Sequence, residues 1–263
     1  MKKLISLLFL VTRTALFAVF IVIHLSIGYF THFTVKDPYL RKQKFSRLCR
    51  WITNLACQYF GVRIKILNEP PKEAPGLIVG NHLGFIDILA SGSMRPMLFV
   101  TSKEMRETPV LGLITELAGC IYVERRSKLG VHGELQHLIK ALKEGFNVCL
   151  YPEATSHNGD HVLPFKRTLM TAAAHAGVPI YPYVFNFVSI EGQPFSLKNR
   201  DSVCWYGDIP FLQAMVSTFS LLYVEVEIKF LPPIFPKMDD DRAIVANQVH
   251  KMISDEFRPV LKN

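Results

Sequence analysis

Residues 14–30, TALFAVFIVIHLSIGYF, carry no formal charge. As a helix this stretch is about 26 Å long, near the short end of what crosses a bilayer. The apolar run LISLLFLVT extends it on the amino side, with Arg13 placed to snorkel toward the interface. No small-x-small cleavage site follows, so the pattern predicts a retained membrane helix rather than a removed signal sequence. Between residues 38 and 60 the period changes. Phe45, Leu48, Ile52, Leu55 and Tyr59 recur at three- and four-residue steps, with Arg41, Lys42, Lys44, Arg47 and Arg50 before or between them. That is an amphipathic helix with a basic face, suited to a membrane surface or to packing on a folded domain.

From residue 62 short apolar runs alternate with helical periodicity. The predicted strands are 62–66, 76–80, 97–101, 120–124, 147–151, 180–185 and 223–230. Most are continuously apolar, as in a sheet covered on both faces. YVEVEIKF (223–230) alternates instead and is expected near an edge. Leu135, Leu138, Ile139 and Leu142 share one helical face before a stop at Gly145, and Val245, Val249, Ile253 and Phe257 share another after Asp239–Asp241. The reading is an α/β chain: residues 1–60 a membrane helix plus a basic amphipathic helix, residues 61–263 one domain.

Charge sharpens this picture. Residues 1–60 hold nine Lys/Arg and one Asp, and the remainder holds equal numbers of basic and acidic residues, so the chain's whole net charge of +8 lies beside its most hydrophobic segment. That placement favours anionic lipid headgroups over nucleic acid, for which no motif is present. Basic residues are denser after the apolar helix than before it, which places the domain on the cytoplasmic face. The five cysteines form no C-x-x-C pair, so reduced thiols are expected and no metal site.

Three His–Asp pairs share one spacing: His32–Asp37, His82–Asp87 and His250–Asp255. In a regular helix a five-residue step turns the side chain about 140° beyond a full turn, so His250 and Asp255 point apart. His32–Asp37 follows the apolar helix with no strand before it. His82–Asp87 lies in a strand-to-helix turn, where α/β sheets place their sites. By its residues alone it is either a general base held by a carboxylate or a capping aspartate beside an exposed histidine.

Three further stretches bear on that choice. GCIYVERR (119–126), YPEATSHNG (151–159) and VPIYPYVF (178–185) each lie at a strand. With NHLGFID (81–87), in this order, they resemble the four blocks of the glycerolipid acyltransferase family, the lysophosphatidic acid acyltransferase type. NHLGFID resembles the His-x4-Asp block and includes Asn81. GCIYVER, with Gly119 and Arg125, resembles the second block. YPEAT, with Pro152, Glu153 and Thr155, resembles the third, usually Pro-Glu-Gly-Thr. VPIYP, with Pro179, resembles the fourth. The resemblance spans roughly residues 60–235. It implies a single mixed sheet flanked by helices, an amino-terminal membrane anchor, and acyl transfer from a thioester to a lysolipid hydroxyl.

Under that resemblance His82 is the base and Asp87 its partner. Arg125, Glu153, Thr155 and Ser156 would hold the acceptor's headgroup region, with Lys166 and Arg126 as further contacts, while Asn81, Gly119, Pro152 and Pro179 serve the acyl donor or the fold. Acyl-CoA or acyl carrier protein would be co-substrate, with no other cofactor. A thioester needs no covalent enzyme intermediate, and the chain has no Gly-x-Ser-x-Gly elbow, P-loop or His-Glu-x-x-His helix. Ala154 stands where the family usually has glycine, so a catalytically inactive lipid-binding protein of the same fold is the alternative. Ser156 stands where family members forming phosphatidic acid usually have arginine, which points to an acceptor other than a plain phosphomonoester.

Overall fold

The computed structural model describes residues 2–72, 74–124 and 131–262. The chain opens with two long helices, α1 (Lys2–Thr34) and α2 (Pro38–Phe60). Asp37 caps α2 by accepting the Leu40 N–H at 2.7 Å, Pro38 opens it, and Gly61 closes it at φ 70°. There follow β1 (Val62–Leu67), β2 (Leu77–Gly80), α3 (Phe85–Met94), β3 (Leu98–Ser102), α4 (Lys103–Glu107), α5 (Leu111–Leu117) and β4 (Ile121–Val123). Next come α6 (Val131–Lys143), β5 (Val148–Leu150), α7 (Ala172–Ala176), β6 (Ile180–Ile190), β7 (Gln193–Pro194), α8 (Phe211–Phe219), β8 (Val224–Phe230) and α9 (Arg242–Glu256).

The strands form one sheet in the order β1-β8-β6-β2-β5-β3-β4, with β7 pairing β6. β8 and β7 run antiparallel to β6, and the other pairs are parallel, so the sheet is mixed. All seven strands read from the sequence are present. β6 runs on to Ile190, and the short β7 was not expected. β2 is buried at every position, as its unbroken apolar sequence requires of a strand covered on both faces.

The helices fall into two packed groups. α6, α7 and α9 belong to one, while α1, α2, α3, α5 and α8 belong to the other. Gly145, at φ 85°, follows α6, and Asp241 caps α9 through the Ala243 N–H, as the stop and start signals predicted.

α1 does not stand clear of the domain. Arg13, His24, Gly28, Thr31 and Val35 are buried along one helical stripe. Arg13 does not snorkel to an interface. Its guanidinium donates to the Phe219 (3.3 Å), Leu221 and Leu222 (2.9 Å) carbonyls at the end of α8, and His24 Nε2 meets the Ile114 carbonyl at 3.0 Å. Gly28 lets α1 lie against α5, since a Cβ there would stand 2.8 Å from the Leu117 side chain. The opposite face, with Val11, Val22, Phe30 and Phe33, is exposed and apolar. α2 also packs inward. Phe45 and Leu48 are buried against the domain, which leaves Lys44, Arg47 and Arg50 exposed beside Trp51.

Candidate active site

β2 ends at Gly80 and α3 begins at Phe85, so residues 81–84 form the strand-to-helix turn. Asn81, fully buried, fixes its start. Its side-chain amide donates to the Phe185 carbonyl at 3.0 Å and accepts the Phe185 N–H at 2.8 Å, fastening β2's end to β6. Asp87, in the first turn of α3, fixes the other side. Its Oδ2 accepts the Leu83 and Gly84 N–H groups at 2.6 and 2.7 Å, and its Oδ1 lies 2.9 Å from His82 Nδ1. Facing a carboxylate, Nδ1 carries the proton. Nε2 makes no hydrogen bond among the described residues, and His82 faces a cavity.

The other two pairs do not form. Asp37 caps α2, Asp255 pairs with Lys251 at 2.6 Å, and His250 Nε2 lies 3.3 Å from the Val162 carbonyl.

Behind His82 lies a buried polar layer. Tyr151 stacks on the imidazole, ring centroids 4.6 Å apart, and its hydroxyl meets Ser91 at 2.9 Å and Tyr183 at 3.2 Å. Burial holds both tyrosine hydroxyls protonated, far above the ordinary phenol range. Gly80 admits the Tyr183 ring, which a Cβ there would meet at 2.2 Å.

Glu153 does not reach the cavity. Its side chain is fully buried and aimed at the turn: Oε2 accepts the His82 N–H at 3.2 Å and lies 3.3 Å from His157 Nε2. His157 Nδ1 accepts the Gly159 N–H at 3.1 Å, so the ring proton sits on Nε2, toward the carboxylate. The His157 backbone N–H donates to the His82 carbonyl at 3.2 Å. The third block thus clamps the His82 peptide from both sides, and His157, which the sequence offered beside Ser156 as a sign of the acceptor headgroup, faces Glu153. Thr155 and Ser156, by contrast, line the cavity.

The cavity has a volume of about 570 Å³. Phe17 and Ile21 of α1, Ile52 of α2, Ile114 of α5, and Met215 and Phe219 of α8 line it. Cys49 and Cys120 do too, and burial pushes both thiols up, that of Cys49 to about 12, so they act as small apolar groups. A second wall comes from residues 205–209, for which no motif gave a signal. The Trp205 N–H donates to the Leu83 carbonyl at 2.9 Å, tying that loop to the His82 turn.

The remaining sequence-derived residues lie apart. Arg125 and Arg126 fall outside the described residues. Lys166 is exposed and off the cavity lining, its backbone N–H bonded to the Pro152 carbonyl at 2.8 Å. Gly119 closes the turn after α5 at φ 77°. Pro179 precedes β6, whose Ile180 pairs with Leu77 at the start of β2, the opposite end of that strand from His82. It shapes the sheet.

Ala154 has φ 60°, in the left-handed region. That conformation costs an alanine about 1–2 kcal/mol, offset in part by the roughly 0.5–1 kcal/mol of extra chain entropy a glycine loses on folding. Ala154→Gly is therefore expected to stabilise the fold by about 0.5–1 kcal/mol, and Ala154→Val to destabilise it. Thermal unfolding in detergent checks both.

The site is thus a carboxylate-held histidine at a strand's carboxyl end in a mixed sheet, opening on a largely apolar cavity. Residues 61–186 match the family model described as Acyltransferase. The matched residues carry an acyltransferase domain. It is 27% identical to a lyso-ornithine lipid O-acyltransferase of Rhizobium meliloti, over 81% of this chain and 76% of the relative. A 1-acyl-sn-glycerol-3-phosphate acyltransferase of Neisseria gonorrhoeae is 24% identical over 71% of this chain and 72% of its own. A lysophospholipid acyltransferase of Arabidopsis thaliana is 30% identical over 72% of this chain and 46% of its own. The crystal structure of the 1-acyl-sn-glycerophosphate (LPA) acyltransferase of Thermotoga maritima shares the fold, with a TM-score of 0.70 and 18% identity over 98% of this chain and 96% of that one.

Proposed function

We propose that this protein transfers a fatty acyl group from acyl-CoA or acyl carrier protein to the free hydroxyl of a lysolipid at a membrane surface. One observation carries the chemistry: His82 Nδ1 is held by Asp87 at 2.9 Å while the ring lines the cavity. Nε2 takes the proton of the acceptor hydroxyl as its oxygen attacks the thioester carbonyl carbon. Asp87 stabilises the imidazolium that forms. Collapse of the tetrahedral intermediate breaks the carbon–sulfur bond, and the imidazolium returns the proton to the departing thiolate. Two N–H groups already bind Asp87, so the carboxylate stays fixed while the charge develops.

The cavity's apolar walls suit acyl chains, and α1, which forms one wall, carries an exposed apolar face on its other side. The buried stripe on α1 runs from Arg13 to Thr31, with Val35 just beyond, so the helix lies along the domain. In this reading its outer face sinks into one leaflet, and Lys44, Arg47 and Arg50 meet anionic headgroups on the cytoplasmic side.

Transfer of a radiolabelled acyl group to a panel of lysolipids, with each donor in turn, tests the activity; no product with any acceptor and either donor would rule it out. The same assay reads the headgroup. With Ser156 on the cavity wall, lyso-ornithine lipid and lysophosphodiesters are expected to outcompete 1-acylglycerol-3-phosphate. Ser156→Arg is expected to shift preference toward the phosphomonoester, because a guanidinium pairs with a dianionic phosphate.

A further inference from the structure

Among the described residues lining the cavity there is no lysine or arginine, and Asp208 is the one carboxylate. Asp208 is exposed at the cavity's rim and makes no hydrogen bond or ion pair among the described residues. Its neighbours Trp205 and Tyr206 line the same cavity.

The loop that carries Asp208 is held in place. At one end the Trp205 N–H bonds the Leu83 carbonyl at 2.9 Å. Across it, Trp205 Nε1 donates to the Ile209 carbonyl at 2.7 Å, and Gly207 takes the turn at φ 57°. Three residues from Trp205, Asp208 is at most about 10 Å of chain away from it, and Trp205 is fastened to the residue after His82. The nearby cation, Arg200, is held on Tyr206 and Asp201. Its guanidinium lies over the Tyr206 ring at 5.0 Å and binds Asp201 at 3.1 Å, and Tyr206 donates its hydroxyl proton to the same Asp201 at 2.6 Å.

We propose that Asp208, with the ring of Trp205, forms a subsite for a cationic amine in the headgroup of the lysolipid acceptor. This rests on the reading of His82 as the base acting on that acceptor. A carboxylate and an aromatic face attract an ammonium group, and the carboxylate repels a dianionic phosphate. The subsite thereby selects zwitterionic acceptors over phosphomonoesters, from the wall of the cavity that the sequence motifs do not supply.

The test uses the full-length protein in neutral detergent micelles with two lysophosphodiesters of the same acyl chain, lysophosphatidylethanolamine and lysophosphatidylglycerol. Only the first carries an amine. Lyso-ornithine lipid and its form N-acetylated on the side-chain amine make a second matched pair. The wild type is expected to prefer the amine-bearing member of each pair. Asp208→Asn is expected to lower kcat/KM for that member about tenfold while leaving the other within about twofold. Asp208→Glu is expected to keep the preference. An unchanged preference in Asp208→Asn overturns the subsite, as does an equal loss on both members of a pair, which would mark the residue as merely structural. His82→Ala, assayed alongside, separates the two claims: inactivity on every acceptor leaves the catalytic reading standing whatever Asp208 does, and full activity removes it.

Discussion

Replacing His82 with alanine is expected to lower acyl transfer by about 10²–10⁴-fold, the usual cost of removing a general base. The fold is expected to survive. The His82 backbone bonds, the N–H to Glu153 and the carbonyl to His157, are kept by an alanine. The ring's loss leaves Asp87 with its two N–H partners, so no buried carboxylate is stranded. His32→Ala and His250→Ala, measured in the same membranes, are expected to transfer acyl groups at close to the wild-type rate. Equal losses at all three positions would mean that the His82–Asp87 geometry is not the catalytic one.

Deleting residues 1–34 is expected to cost more than membrane attachment. Phe17, Phe20, Ile21 and His24 of α1 line the cavity, and Arg13 holds the carbonyls that end α8. Removing the helix opens the site to water along one side and leaves those carbonyls without their donor. A loss of about 10²-fold is expected even in detergent micelles, where attachment is irrelevant, because acyl chains held loosely misplace the reacting atoms. Wild-type turnover of the truncated protein in micelles would show that the wall is dispensable. Binding of the truncated protein to anionic vesicles is expected to persist at low ionic strength and fall with salt, through Lys44, Arg47 and Arg50.

Much of the scaffold was legible because it is local. Strand and helix periods are read within a dozen residues, and the His82–Asp87 pair spans a single turn whose two ends are set by β2 and α3. An aspartate in the first helical turn accepts N–H groups of the turn before it whatever the rest of the chain does. What covers an apolar stripe is not local. Phe45 and Leu48 give α2 the same pattern whether the stripe meets lipid or protein, and it meets protein. The alternation of β8 is local too, and the strand lies next to the edge strand β1, near the edge as expected. Which of its glutamates is buried is not local: Glu225 meets Arg63 at 3.4 Å at the surface, while Glu227 is buried and meets Arg258 at 2.6 Å.

The sequence by itself determined the α/β scaffold, the turn that holds the His–Asp pair and the acyltransferase-like order of its motifs, since each depends on residues close together in the chain or on motifs in a fixed order. Tertiary structure alone decided which way Glu153 faces, where Arg13 goes, that α1 walls the cavity, and that the loop from Trp205 to Ile209 closes on Leu83. Those contacts join residues far apart in the chain. They exist only once the sheet has brought its strand ends together, and no spacing of residue types encodes them.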